Sequence, residues 1–383
     1  MSRTRRLLLL ASLSLPCAAL AARGEFLVYF GTYTREPSTS KGIYVYRFNA
    51  NTGDLTDLGL AAEVQNPSFV AVHPNRKYLY SVSEVSMVDG ERDGLVHAYT
   101  IDHKTGKLTH LNTVRSRGTA PCHLNVDASG RTLVVANYGS GTVSAFPIKP
   151  DGSLGEAAST MQHQGKSVDP KRQQGPHAHS VNISKENTFV VVADLGLDQI
   201  LIYKMNPENA TLTANDPPFV TVEPGGGPRH FTFHPNGRFA YTNNEMGSSV
   251  TAFQWNAKKG ALAKIHTVST LPADFSGVNH TAEVLAHPSG KFLYCSNRGH
   301  DSIAIFSIDA KTGRLTPRGH VSTQGKTPRN FNIDPTGRYL FVGNQNTHNV
   351  VLFRIDQNTG ALTPTGNQLR IGAPVCVRFV ALE

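Results

Sequence analysis

The chain repeats itself, and that repeat limits its fold more than any other feature. The clearest copy opens with Gly227-Pro-Arg-His230, passes through a His-Pro-Asn-Gly turn and ends at Asn244-Glu245. Relatives begin at Asn66-Pro-Ser, Ala120-Pro-Cys-His, Pro176-His-Ala-His, Thr281-Ala-Glu and Thr327-Pro-Arg-Asn, roughly 46 to 55 residues apart. That is the period of propeller blades. A second signature follows most copies. Thr52-Gly53, Thr105-Gly106, Thr312-Gly313 and Thr359-Gly360 each precede a Leu by one or two residues and read as hairpins, with glycine supplying the positive φ.

Six units are complete and a seventh is split. Ala373-Pro-Val-Cys-Val-Arg-Phe379 supplies its first strand from the C-terminus, and Phe26–Tyr33 supplies the next from the N-terminus. Joining them closes a ring and removes free sheet edges. The expected fold is all-β: a seven-bladed β-propeller with one blade closed by N- and C-terminal strands, a single domain over residues 22–383.

Residues 1–21 read as a signal peptide. Arg3, Arg5 and Arg6 precede an apolar run from Leu7 to Leu20, and Ala19-Leu20-Ala21 gives a cleavage site. The run is short for a membrane span and is broken by Pro16. Arg5-Arg6 also suits twin-arginine export. The expected location is periplasmic or secreted, with no membrane attachment after cleavage. Three cysteines remain in the mature chain (Cys122, Cys295 and Cys376) with no C-x-x-C, so no disulfide framework is indicated.

The formal charge is +9, and losing the leader's three arginines leaves about +6. No basic run with interleaved aromatics accompanies it, so nucleic acid is not an expected partner. A small anionic substrate fits the charge. Charged residues at 17% and hydrophobic residues at 39% describe a folded chain. The expected assembly is a monomer or weak homodimer.

With the first strand of each unit innermost, one set of side chains is apolar (Leu124/Val126, Val181/Ile183, Phe231/Phe233) and packs between blades. The alternate set is polar (His123/Asn125, Ser180/Asn182, His230/Thr232, Asn330/Asn332) and faces a central channel. Strand starts and the ends of the antiparallel partners share one rim. There the repeat stops repeating: His179, Arg229 with Glu245, Arg298 and Arg329 fall on consecutive units, with His177 and His230 beside them. Guanidiniums bind phosphate and carboxylate oxygens, and Glu and His suit acid–base work. Plain surface ion pairing explains the same residue types. His73, His234 and His287 belong to the repeated His-Pro turn and read as structural. Glu84 echoes Glu245 on a distant unit and reads as uninvolved, whereas His300 and Asp301 are placed to orient Arg298.

No cofactor or metal is expected. His177-x-His179 lacks an accompanying carboxylate cluster, Gly225-Gly-Gly227 lacks a following Lys-Ser/Thr, and no G-x-S-x-G elbow is present.

Gly31-Thr-Tyr-Thr34, Pro121-Cys-His123, Ala136-Asn-Tyr138, Pro176-His-Ala-His179, Asp194-Leu-Gly-x-Asp198, Gly227-Pro-Arg-His230, Asn244-Glu245 and Ser296-Asn-Arg-Gly-His-Asp301 resemble the lactonase-type seven-bladed propellers. That family includes propeller-type 6-phosphogluconolactonases and carboxymuconate-lactonising enzymes. The resemblance covers essentially the whole mature chain. It implies active residues at His179, Arg229, Glu245 and Arg298, and hydrolysis of an acidic sugar lactone without a metal. Glu245 or His179 would then activate water, while His177, His230 and Arg329 would help bind substrate. A cycloisomerase acting on a carboxymuconate-type lactone and a non-enzymatic exported binding propeller are the alternatives.

Overall fold

A computed structural model describes residues 24–382. The expected signal peptide lies outside the described residues. Among the described residues, twenty-eight strands form seven four-stranded antiparallel sheets around a channel. The closing blade joins the C-terminal strand Pro374–Ala381 to Glu25–Thr32, with Phe26 opposite Ala381 and Gly31 opposite Cys376. The chain's two ends therefore complete one sheet, as the split repeat requires.

Each blade presents its first strand to the channel, and its apolar residues pack against the neighbouring blades. Leu124 is buried with Leu133 and Val135 among residues of the preceding two blades. Val181 packs with Val134 and Ala136 of the blade before it. The ring is thus cemented by face-to-face apolar contact, the non-directional term that dominates folding.

Two directional latches repeat on top of this packing. The histidine of the His-Pro turn reaches the next blade's turn glycine. His73 Nε2 lies 2.9 Å from the Gly130 carbonyl, His234 Nε2 2.8 Å from Gly290 and His287 Nε2 2.8 Å from Gly337. These histidines are structural, as their place in the repeat suggested. A fully buried tyrosine on the second strand makes the other latch. Tyr29, Tyr241 and Tyr294 donate their hydroxyls to the carbonyls of Gly106, Gly313 and Gly360, at 2.9, 3.1 and 2.9 Å. The accepting glycines are those of the Thr-Gly hairpins, and each has φ near +70° (74, 70 and 74°). An L-residue there is strained, and a Cβ at Gly313 would also sit 2.5 Å from the Phe239 ring.

Tyr241→Phe leaves the Gly313 carbonyl without its buried donor. The expected loss is about 1–2 kcal/mol, read as a lower urea midpoint with unchanged slope.

Candidate active site at the channel mouth

The first strands do not alternate strictly at their starts. Strict alternation would put His179, Arg229 and Arg329 on the side of Val181, Phe231 and Phe331, between the blades. Instead a β-bulge interrupts the pairing at that point in blade after blade. The register slips between Pro121 and His123, Ala178 and Ser180, Pro228 and Phe231, Thr281 and Val284, and Pro328 and Asn330. A bulge holds an extra residue and re-aims its side chain. The residues released are Cys122, His179, Arg229 with His230, Ala282 with Glu283, and Arg329. This is how a repeat built for packing delivers polar groups to one mouth.

That mouth holds a cavity of about 300 Å³ lined by Glu84, Cys122, Tyr138, Arg172, His179, Glu245, His280, Arg298 and Arg329. Arg229 lies just beneath, 2% exposed. Glu245 is the organising group. Its Oε1 accepts from Arg172 Nη2 at 2.8 Å. Its Oε2 lies 2.9 Å from Arg298 Nη2 and 3.0 Å from Arg229 Nε. The last contact is an ion pair without hydrogen-bond alignment. Burial opposes the Glu245 charge, but Arg298, Arg229 and Arg172 outweigh it and hold the carboxyl well below the usual carboxylate range. With both oxygens occupied, Glu245 fixes three guanidiniums more readily than it accepts a proton.

The arginines are also held by backbone carbonyls. Arg229 Nη1 donates to the Ala282 carbonyl, and Arg298 Nη2 donates to Thr281 O at 3.1 Å. His300 and Asp301 do not orient Arg298. His300 Nδ1 is 2.6 Å from Ser302 Oγ, and Asp301 pairs with Lys326 at 3.1 Å and accepts from Thr327 N. Both side chains are taken up by partners other than Arg298, His300 also packing on Phe275 and His320. Arg329 lies over the Tyr33 ring, 5.4 Å from its centroid. Burial works against its charge, but Tyr33, Glu84 and Glu245 outweigh that and raise its pKa.

His179 is buried beside Cys122, with Nδ1 3.8 Å from the thiol sulfur. Burial, then the Arg229 charge, lowers its pKa well below that of free imidazole, so the ring is neutral at pH 7. His177 is set back from the cavity. Its ring stacks on Tyr138 at 4.5 Å, and its backbone N–H donates to Asp194. It supports a wall residue. His230 sits deeper, with Nδ1 2.8 Å from Glu283 Oε1. Burial, then Arg229, lowers the His230 pKa, while burial pushes Glu283 up to about 7. Asn330 donates to the other Glu283 oxygen. Below this layer the polar channel set (Asn125, Asn182, Thr232 and Asn332) lines a separate cavity of about 390 Å³ with Arg378. The rings of Phe69, His123 and His230 pack against one another between the two cavities.

Three mouth residues escaped the sequence reading. Arg172 lies in the long connection between Ser159–Gln162 and Ala178–Ile183, outside the repeat register. His280 precedes the bulge of its strand. Glu84 was set aside as belonging to a distant unit. In a closed ring the strand starts converge, so units far apart in sequence face each other across the channel. Among the described residues, no group of three or more His, Cys, Asp or Glu is arranged to hold a metal ion.

Fold and mouth together define a class: a propeller whose bulged inner strands bring several arginines and a buried glutamate to one mouth. The chain matches the family described as "Lactonase, 7-bladed beta-propeller" over residues 27–379 and belongs to it. It is 38% identical over 310 residues to a 6-phosphogluconolactonase of Bacillus subtilis, covering 81% of this chain and 85% of that one. A 6-phosphogluconolactonase of Formosa agariphila is 36% identical, over 80% of this chain and 86% of its own length. Among solved structures, the periplasmic gluconolactonase of Pseudomonas aeruginosa superposes with a TM-score of 0.87 at 34% identity, covering 94% of this chain and 100% of that one.

Glu245→Gln leaves three guanidiniums without their shared counter-charge and is expected to cost about 3–5 kcal/mol at pH 7. An ionised Glu245 stabilises the folded state above the pKa of an unfolded-chain glutamate. That gain is lost as pH falls from there toward the depressed folded pKa. Urea midpoints for the two proteins should therefore converge on acidification.

Proposed function

We propose that this protein hydrolyses an acidic sugar lactone of the 6-phosphogluconolactone type at the channel mouth, without a metal ion. The observation that carries this reading is the charge balance of the site. Among the described residues, Arg172, Arg229, Arg298 and Arg329 line the mouth with two carboxylates, Glu84 and Glu245, while Glu283, near Arg229 below, is pushed up to about 7 by burial. A sugar phosphate bearing about −1.5 to −2 charges neutralises the surplus. The family and the names of its relatives support lactone chemistry.

Arg172 and Arg298 reach the open part of the cavity and suit the anionic group. Arg229 and Arg329 lie deeper, where a developing oxyanion on the lactone carbonyl gains most from fixed positive charge in a dry site. Glu245 keeps the guanidiniums in place before substrate arrives, so little reorganisation is needed during reaction. His179 and Cys122 form the floor against which the lactone ring rests. The leader and the periplasmic gluconolactonase of Pseudomonas aeruginosa favour action in the periplasm or outside the cell.

Arg229→Ala is expected to lower kcat/KM for 6-phosphogluconolactone by about 10²–10³, the scale for loss of one oxyanion-stabilising donor. Arg172→Ala should instead act mainly through KM, by about tenfold, the scale of one partly exposed charge-assisted contact. A chelator should leave turnover unchanged. Wild-type kinetics in Arg229→Ala, or loss of activity with chelator that added metal restores, would contradict the mechanism.

A further inference from the structure

Beneath the mouth cavity lies a second, far smaller space of about 10 Å³. That is room for about one water molecule. Its walls include Ser68, Glu84, Cys122, His179, Arg229 and Arg329. Glu84, Cys122, His179 and Arg329 also line the larger cavity, so the two spaces share a wall. A lactone resting on the floor of the upper cavity would lie directly above the niche. The Ser68 hydroxyl is buried and has no hydrogen-bond partner among the described residues. A buried hydroxyl left unsatisfied is costly and is ordinarily met by water.

The ionisable groups around the niche differ in the partners that hold them. Both oxygens of Glu245 are engaged by guanidiniums. His230 Nδ1 is engaged by Glu283. His179 is buried among arginine charges. Glu84 is different. Its carboxylate accepts the Tyr33 hydroxyl, at 2.9 and 3.0 Å to the two oxygens. Among the described residues it has no guanidinium within ion-pair distance, and it is only partly buried. Tyr33 is in turn held between Arg35 and Arg329, which lie 4.6 and 5.4 Å from its ring centroid. The tyrosine therefore fixes the carboxylate in one orientation at the niche.

We propose that the attacking water sits in this niche, against Ser68, and that Glu84 is the base that deprotonates it. The assignment rests on the lactonase reading above. The water oxygen bonds to the lactone carbonyl carbon as its proton passes to Glu84. The carbonyl oxygen carries the resulting negative charge beside Arg229 and Arg329. Collapse re-forms the carbonyl and breaks the ring C–O bond, whose electron pair stays on the ring oxygen. That oxygen takes the proton back from Glu84. One water is consumed, and a hydroxy acid is released.

The groups that set the charge around Glu84 are Tyr33, Arg35, Cys122, His179 and Arg329, with Arg229 below. Glu84→Gln should lower kcat by about 100-fold or more, the scale of general-base loss. KM should stay within about threefold, since the binding arginines are untouched. The acidic limb of the kcat/KM profile should disappear. Exogenous formate should restore part of the activity of Glu84→Ala. Tyr33→Phe removes a donor to the carboxylate, so its acidic limb should move to higher pH while Glu84→Gln shows none. Ser68→Ala should lower kcat without raising KM.

Glu84→Gln with more than about a third of wild-type kcat and an intact acidic limb, on the scale just cited, would overturn the assignment. The lactonase reading would survive that result, because wild-type enzyme would still hydrolyse the lactone. If a thermal melt shows that Glu84→Gln does not fold, the Tyr33→Phe profile decides: an unmoved acidic limb overturns the proposal. Wild-type enzyme that hydrolyses no lactone would instead remove the reading on which it rests.

Discussion

Ring closure is the constraint on which the rest of this structure depends. The strand Pro374–Ala381 pairs with Glu25–Thr32, and that ladder joins the two ends of the chain. The entropic cost of closing so long a loop grows only logarithmically with its length. The gain is the burial of both faces of every blade against its neighbours, with each innermost strand left facing the channel. Closure also forces seven first strands to converge. Side chains from residues as far apart as Glu84 and Arg329 meet there because the ring leaves them nowhere else to point.

Convergence alone would give only a channel lined by the polar alternate set. The bulges at five strand starts turn the mouth into a site by re-aiming side chains away from the blade interface. What they bring together is an electrostatic problem: several guanidiniums in a small, poorly hydrated space. Glu245 resolves it by engaging three of them. A carboxylate used in this way is a fixed counter-charge, and the weak basicity it acquires argues for a separate base. One glutamate of the site is thus held by guanidiniums, and another, Glu84, is held by a tyrosine hydroxyl.

Much of this was legible in the residues. The seven-blade period, the split blade and the hairpin glycines follow from turn chemistry and alternation, which act locally. The rim set of His179, Arg229, Glu245, Arg298 and Arg329 was visible because those positions vary where a structural repeat would hold them constant. What escaped did so for identifiable reasons. Arg172 sits in a connection with no repeat register. Glu84 looked remote because distance along the chain was read as distance in space. His177 looked like a partner of His179, but its ring turns onto Tyr138. The bulges leave only a weak trace, since a one-residue insertion looks like ordinary alternation.

The proposed function requires a lactone that carries its own negative charge. The most direct measurement compares kcat/KM of the mature protein for 6-phosphogluconolactone and for unphosphorylated glucono-δ-lactone at matched low and high salt. A preference of about tenfold or more for the phosphorylated ring is expected at low salt, shrinking as salt screens the attraction. Equal turnover of the two lactones at every salt concentration would contradict it.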